Sequence, residues 1–259
     1  MPSSLTTRLG LALPIIQGPM TGSDTPALAA AVSEAGGLGM LGCGMRSPAA
    51  MAAAAADVRE RTHKPFGMNL FVQATPTPDE AEVTRAMQRL APLYAEFGLV
   101  PERPAQWCED FAAQFEALLA ARPAVASFTF GILTAAQVAR LHAVGGYVIG
   151  TATTVAEAQA WAAVGADAVC ASGMEAGGHR GTFLTPTQPA AATGAAPSLA
   201  DFEASMVGTL TLVTQCVDAL SIPVIAAGGI MDGRGLAGAL TLGAQGVQMG
   251  TAFLTCPES

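Results

Sequence analysis

Eight short apolar runs recur along the 259-residue chain, and most are followed by an alanine-rich segment with helical spacing. Each run is short enough for a β-strand and apolar enough for a strand that is buried on both faces. Such strands are typical of parallel sheets whose two faces are covered by helices. The runs are Pro14–Met20, Gly37–Gly42, Phe66–Phe71, Ala126–Gly131, Tyr147–Ala152, Ala168–Gly173, Pro223–Gly229 and Gly246–Thr251.

The segments between these runs carry signals for helix starts and ends. Thr154 and Glu157 have the spacing of a capping box, and Asp24 or Thr25 precedes Pro26 as a first helical residue. Repeated Gly-Gly and Gly-Ala steps close several segments, as glycine C-caps do. The predicted helices include Thr25–Ala35, Pro48–Arg61, Thr134–Val144, Thr154–Val164 and Gly235–Leu242.

Eight strand–helix units predict an α/β chain of the (β/α)8 barrel class, a fold that typically takes about 250 residues. The alternative is an open, doubly wound sheet, whose nucleotide motif G-x-G-x-x-G follows the first strand. The first run here ends instead in Gly18-Pro19-Met20. We therefore favour a barrel that is built from residues 1–73 and 124–259.

Two intervals are too long for simple connections. Residues 74–123 contain two helix-like stretches, Pro78–Phe97 and Ala105–Ala121, which predict a helical insertion over the barrel mouth as a substrate-covering region. Thr185–Ala200 is rich in Ala, Pro and Thr, and we expect a surface loop or a mobile lid there.

Composition excludes several classes of protein. A content of 51% hydrophobic and 12% charged residues indicates a large core rather than a disordered chain. The net charge of −8 argues against nucleic acid or an anionic membrane surface as a partner. We find neither a signal peptide nor an apolar stretch of the roughly 18 residues that span a bilayer, and expect a cytoplasmic protein. The five cysteines form no C-x-x-C pair, which favours buried thiols over zinc ligands or disulfides.

Candidate functional residues follow the strands, because a barrel of this kind builds its site at the carboxyl ends. Glycines after the seventh and eighth runs, among them Gly228, Gly229 and Gly250, would let backbone N–H groups approach a phosphate.

His179, in the polar and glycine-rich segment 172–181, is the histidine at a strand end. Its imidazole suits acid–base chemistry near neutral pH. A structural role or metal ligation is the alternative, but His63 and His142 fall on helix-like segments and no metal site is indicated.

Other polar residues near strand ends have more than one interpretation. Asn69 would either hydrogen-bond a ligand or cap the following turn, and Gln17 is equally ambiguous. Glu175 is expected to orient a loop by hydrogen bonding rather than to act as a second base.

The chain resembles the nitronate monooxygenase family in five segments, PIIQGPM, GMNLF, ASGMEAGGHRGTF, IPVIAAGGI and GVQMGTAFL. The resemblance covers nearly the whole chain, and G-x-E-A-G-G-H-R-G is its most specific element. It implies a barrel that binds FMN non-covalently and oxidises alkyl nitronates, such as propionate 3-nitronate, with molecular oxygen. Flavin-dependent enoyl-acyl-carrier-protein reductases, which use NAD(P)H, have a similar G-x-E-x-G-G-H segment and are the alternative. An inactive flavin-binding scaffold is a third interpretation.

The resemblance also implies roles for individual residues. His179 matches the family's histidine, a base or an electrostatic partner of the nitro group. Many members have Gln where this chain has Ser172, so that cofactor contact is expected to differ. The implied cofactor-binding residues are Pro19, Met20, Asn69, Ser172, Gly177, Gly178, Gly228, Gly229, Gln248, Met249, Gly250 and Thr251.

The family continues well past the GTAFL segment, whereas this sequence ends at Ser259, just after the eighth strand. Either the chain is truncated or a partner segment completes the barrel; an apolar flank beside the first and eighth strands would otherwise be exposed and favour association. Homo-oligomerisation is left open.

Overall fold

Eight parallel strands form the centre of the computed structural model, which describes residues 4–184, 199–204 and 206–259. The strands are β1 Ile15–Gln17, β2 Gly39–Gly42, β3 Phe66–Phe71, β4 Val125–Thr129, β5 Tyr147–Ala152, β6 Ala168–Ser172, β7 Val224–Ala227 and β8 Gly246–Met249. Their order in the sheet is β1-β8-β7-β6-β5-β4-β3-β2. A bridge between Ile16 and Leu38 joins its two ends. The predicted (β/α)8 barrel is confirmed.

Helices connect the strands, as the spacing predicts. Thr25, not Asp24, is the N-cap of the first predicted helix, and its hydroxyl accepts a hydrogen bond from the Leu28 N–H at 3.0 Å. Thr154 caps the helix that follows it, because its hydroxyl accepts a hydrogen bond from the Glu157 N–H. The predicted capping box is incomplete, since the Glu157 carboxylate accepts from the Thr153 N–H instead of the Thr154 N–H. The helices are α1 Ser4–Leu9, α2 Pro26–Glu34, α3 Pro48–Arg61, α4 Glu80–Glu96, α5 Phe111–Ala121, α6 Ala135–Ala143, α7 Val155–Ala163, α8 Leu199–Ala204, α9 Thr209–Ala219 and α10 Gly233–Thr241.

The predicted insertion at 74–123 divides into two parts. Helix α5 packs beside α3 in the layer around the barrel, and buries Gln114, Phe115 and Leu118. Helix α4 is mostly exposed, and Val83 is its buried residue. Most of the predicted loop Thr185–Ala200 lies outside the described residues, and its last two residues begin α8.

Two apolar layers stabilise the barrel, because successive strand residues face opposite sides. Alternate strand residues such as Ile149 and Ile225 fill the interior. Their neighbours, such as Val148 and Ala226, pack outward against helices. Leu5 on α1, which is fully buried, belongs to the interior cluster and lies against Gly246 at the amino end of β8.

A groove of about 290 Å³ lies beside β1. It is lined by Leu13 and Ile15 of the β1 region, by α2 and by Phe253 of the 3₁₀ turn Thr251–Thr255 that follows β8. Among the described residues, no helix is both long and apolar enough to cross a bilayer.

The cysteines are only partly as predicted. Cys43, Cys170 and Cys216 are buried, and burial raises the pKa of the Cys170 thiol to about 12. Cys108 and Cys256 are half-buried. All five are free thiols.

Candidate functional site

The loop after β6 is fixed to the first residue of α9 by Glu175. Its Oε2 accepts hydrogen bonds from the Thr209 N–H at 2.8 Å and the Thr209 hydroxyl at 2.7 Å. Partial burial acts to raise the pKa of the Glu175 carboxyl, but these hydrogen bonds outweigh it and hold the pKa below its ordinary value. Glu175 therefore orients a loop, as the sequence predicts.

Glycine-rich loops after β6, β7 and β8 converge beside this carboxylate. Gly228 and Gly229 have φ values of +117° and +69°, which L side chains rarely adopt. A Cβ on Gly228 would lie 2.9 Å from the Ala176 nitrogen, and one on Gly177 would lie 3.2 Å from the Thr251 hydroxyl. The loops thus form a cradle that is made largely of backbone. Backbone N–H groups in glycine-rich loops can bind an anion such as phosphate.

The loop after β1 borders the same cradle. The Met20 sulfur lies 3.8 Å from the position that a Cβ on Gly250 would take. Asp24 fixes this loop, because its Oδ2 accepts from the N–H groups of Met20 and Gly42, each at 2.7 Å. Arg46 balances the buried carboxylate with an ion pair of 3.1 Å. Pro19 is half-buried beside Met20.

Polar side chains occupy inward-facing positions at the carboxyl ends of the strands. The Asn69 amide donates to the Ser127 hydroxyl at 2.9 Å and more weakly to the Thr129 hydroxyl at 3.4 Å. The Thr129 and Thr151 hydroxyls are 3.3 Å apart. Asn69 is therefore an interior polar residue and not the cap of a turn.

The remaining implied cofactor residues fall on two different faces. Ser172 faces the barrel interior, because it lies two residues after the interior residue Cys170 on β6. Gln248 also faces the interior, because it is paired in register with Ile16, which packs there. The Met249 side chain instead packs in the layer between strands and helices, which leaves only its backbone for the site. Gln17, equally ambiguous in sequence, is buried and accepts from the Met40 N–H at 2.9 Å, a structural role.

His179 is exposed and lies beside two aromatic rings that the sequence patterns did not indicate as part of the site. The Phe130 ring meets the imidazole edge-to-face at a centroid distance of 5.4 Å and an interplanar angle of 88°. Phe71 lies 6.4 Å from the imidazole and 4.8 Å from Phe130. Both rings stand at the ends of neighbouring strands, so the imidazole rests against an apolar wall.

The residues that follow His179 are held by Glu157, whose carboxylate is fully buried. Its Oε1 accepts from the N–H groups of Phe183 and Leu184 at 2.6 and 2.9 Å, and its Oε2 accepts from the Thr153 N–H at 2.6 Å. Arg180 adds a bond from its guanidinium to the Ser172 carbonyl at 2.8 Å. Since Glu175 fixes the loop before it, His179 projects from a segment that is anchored on both sides.

The fold and this site together define a class: a (β/α)8 barrel whose strand-end loops form a polar and glycine-lined site, the usual location of catalysis in such enzymes. A family model described as nitronate monooxygenase matches residues 3–259. A nitronate monooxygenase of Pseudomonas aeruginosa is 45% identical, over 100% of this chain and 71% of its own length. A probable nitronate monooxygenase of Staphylococcus aureus is 42% identical, over 98% and 68%.

Solved structures agree with these sequence matches. Nitroalkane oxidase from Streptomyces ansochromogenes superimposes with a TM-score of 0.84 at 40% identity, over 97% of this chain and 68% of that one. A mutant of FabK from Thermotoga maritima gives a TM-score of 0.74 at 32% identity, over 100% and 67%. The chain belongs to the nitronate monooxygenase family and is an oxidoreductase of that family, as the sequence predicts.

Proposed function

We propose that the protein binds FMN at the strand-end site and oxidises alkyl nitronates, of the propionate 3-nitronate type, with molecular oxygen. The observation that carries this proposal is the convergence of the β6, β7 and β8 loops into a cradle where Gly177 and Gly229 present backbone rather than side chains. Such a cradle fits the phosphate end of the cofactor. The related enzymes named for nitronates and nitroalkanes supply the substrate class.

The residues of the cradle fit a bound flavin in two further respects. Met20 and Gly250 face each other at one side, and Asn69, Thr151 and Ser172 offer polar groups at the interior side. When bound, FMN supplies the redox chemistry by accepting electrons from the substrate and passing them to oxygen. The protein has to bind, orient and protect the reacting groups.

His179 is the group that we assign to proton transfer or to binding of the nitro group. It is exposed at the strand ends, and the Phe130 and Phe71 rings limit the space around it. A neutral nitroalkane must lose its α-proton to become a nitronate, and an imidazole nitrogen is a suitable acceptor near neutral pH. A nitronate has already lost that proton and needs only binding and orientation.

The test is His179→Asn, measured by initial oxygen uptake with nitroethane and with its nitronate at matched flavin content. As a base, His179 contributes roughly 10²–10⁴-fold to rate, so we expect the variant to lose nitroethane oxidation by about that factor. Nitronate turnover should stay substantial. His63→Asn, which changes an exposed histidine after α3, is the matched control and should behave as the wild type.

Three outcomes would change the proposal in different ways. Equal losses on both substrates would make His179 a binding partner of the nitro group. No loss on either would leave it a structural residue. Rapid reduction of the flavin by NADH or NADPH, with little response to nitronate, would move the assignment to the enoyl reductases.

A further inference from the structure

Phe130 has an unusual backbone conformation directly after β4. Its φ of +69° lies in the left-handed region, where a Cβ is sterically disfavoured and glycine is the usual residue. Among the described residues, the other non-glycine residue with positive φ is Arg122, at +46°. Arg122 is the C-cap of α5, where left-handed backbone is ordinary. Phe130 ends no helix, so its conformation needs another reason.

The ring of Phe130 supplies that reason, because it is the aromatic group nearest to His179. The edge-to-face geometry, with centroids 5.4 Å apart, is the arrangement that aromatic rings favour. Phe71 supports Phe130 from behind at 4.8 Å and is itself packed closely over Gly44, where a Cβ would lie 2.3 Å from the ring. The three rings form a cluster in which each pair meets edge-to-face.

Packing alone does not account for Phe130. The side chain is only half-buried, and glycine would adopt the same backbone without steric cost. Residues in such conformations are concentrated at functional sites, where the surrounding structure holds them. The chain therefore places an aromatic ring at a position where glycine would relieve the backbone strain.

We propose that Phe130 is a positioning residue, whose left-handed backbone directs its ring against the imidazole and holds His179 toward the strand-end site. This inference rests on the proposed function, because it assigns His179 to the reaction. The backbone of the histidine segment is anchored through Glu157 and Arg180. The exposed imidazole depends on Phe130 and Phe71 for its orientation.

The test compares Phe130→Gly with Phe130→Tyr in the flavin-loaded enzyme, with Arg122→Gly as the matched control. Phe130→Gly relieves the backbone strain but also removes the packed ring, so we expect only a small change in Tm and a kcat on nitroalkane that falls by about tenfold or more. Phe130→Tyr keeps the ring and should keep kcat within about twofold of the wild type. Arg122→Gly relieves similar strain away from the site and should raise Tm without changing kcat.

Three results would count against the proposal. The first is wild-type kcat in Phe130→Gly, and the second is a Tyr variant as impaired as the Gly variant. A large fall in Tm of Phe130→Gly, alongside the loss of activity, would also count against it, because Phe130 would then be a packing residue.

A second readout separates this inference from the proposed function. Wild-type protein that consumes no oxygen with nitroalkane or nitronate would refute the proposed function but not the contact between the rings. Carbethoxylation of His179 by diethyl pyrocarbonate, followed by mass spectrometry, should then be several-fold faster in Phe130→Gly. His63 and His142, both exposed, are internal controls whose rates should not change. Equal rates at His179 in both proteins would overturn the inference.

Discussion

At the scale of single residues, three carboxylates fix the loops that surround the site. Asp24, Glu157 and Glu175 each accept backbone N–H groups, from Met20, Phe183 and Thr209 among others. Hydrogen bonds to an ionised acceptor are stronger than those between neutral groups. These residues therefore orient the loops.

Glu175 gives the clearest prediction at this scale. Since its folded pKa lies below the ordinary value of 4.5, its contribution to stability is present above about pH 4.5 and is lost as pH falls through the folded pKa. Glu175→Gln should be less stable than the wild type at pH 7, and the difference in Tm should shrink as pH is lowered from 4.5. Thermal unfolding between pH 7 and pH 3 measures it.

Glu102→Gln, an exposed change in the segment between α4 and α5, is the control for this series. It removes one carboxylate without affecting the Thr209 contact. A difference in Tm between wild type and Glu175→Gln that stays constant through the acidic range would contradict the assignment of the hydrogen bonds to the ionised carboxylate.

At the scale of elements, the loops after β6, β7 and β8 act as one unit, although they come from distant parts of the sequence. Gly177→Leu should place a side chain in the cradle without a positive φ to strain the backbone, and we expect it to weaken flavin binding by about tenfold or more. Fluorescence titration of the apoprotein with FMN measures this.

Gly238→Leu is the matched control for the cradle variant. Gly238 lies within α10, where an added Cβ meets nothing within 4 Å. The change should raise helix stability by about 1 kcal/mol and leave flavin affinity unchanged. Wild-type affinity in a folded Gly177→Leu protein would mean that the phosphate lies elsewhere.

At the scale of the whole molecule, barrels of this class usually have one end that serves stability and another that carries the site, and the candidate site lies at the carboxyl ends of the strands. Leu5 of α1 is fully buried in the interior cluster against Gly246, at the amino end of β8. Leu5→Ala should lower the free energy of unfolding by about 2–5 kcal/mol, because it leaves a cavity. Flavin affinity and kcat should not change while the protein is folded.

Chemical denaturation, together with FMN titration, tests this separation of roles. Leu240→Ala on α10 is the control, because Leu240 is 39% exposed. This change should lower the free energy of unfolding much less than Leu5→Ala does. A folded Leu5→Ala protein with weakened flavin binding would show that the two ends are coupled.

The sequence by itself determined the barrel and many of its elements. The bounds of β3, β5 and α3 match the predicted Phe66–Phe71, Tyr147–Ala152 and Pro48–Arg61, because these segments carry their burial pattern and their end signals locally. The family segments also indicated which loops build the site.

The start of helix α9 could not be predicted from local sequence patterns. No strong start signal precedes Thr209–Ala219, and its N-cap, Gly208, makes no side-chain capping bond. The acceptor for its first N–H is Glu175, which lies in the loop after β6. Sequence patterns could not reveal this helix start, because its stabilising partner is brought there only by the closed barrel.

The tertiary structure alone decided the surroundings of His179. The left-handed φ of Phe130, its ring contact with the imidazole and the bonds from Glu157 to Phe183 and Leu184 all join segments that are far apart in the chain. Periodicity and capping report interactions within a few residues, whereas such contacts depend on how the strands are staggered around the barrel. That is why the sequence indicated His179 as a candidate, and only the fold showed which residues lie against it.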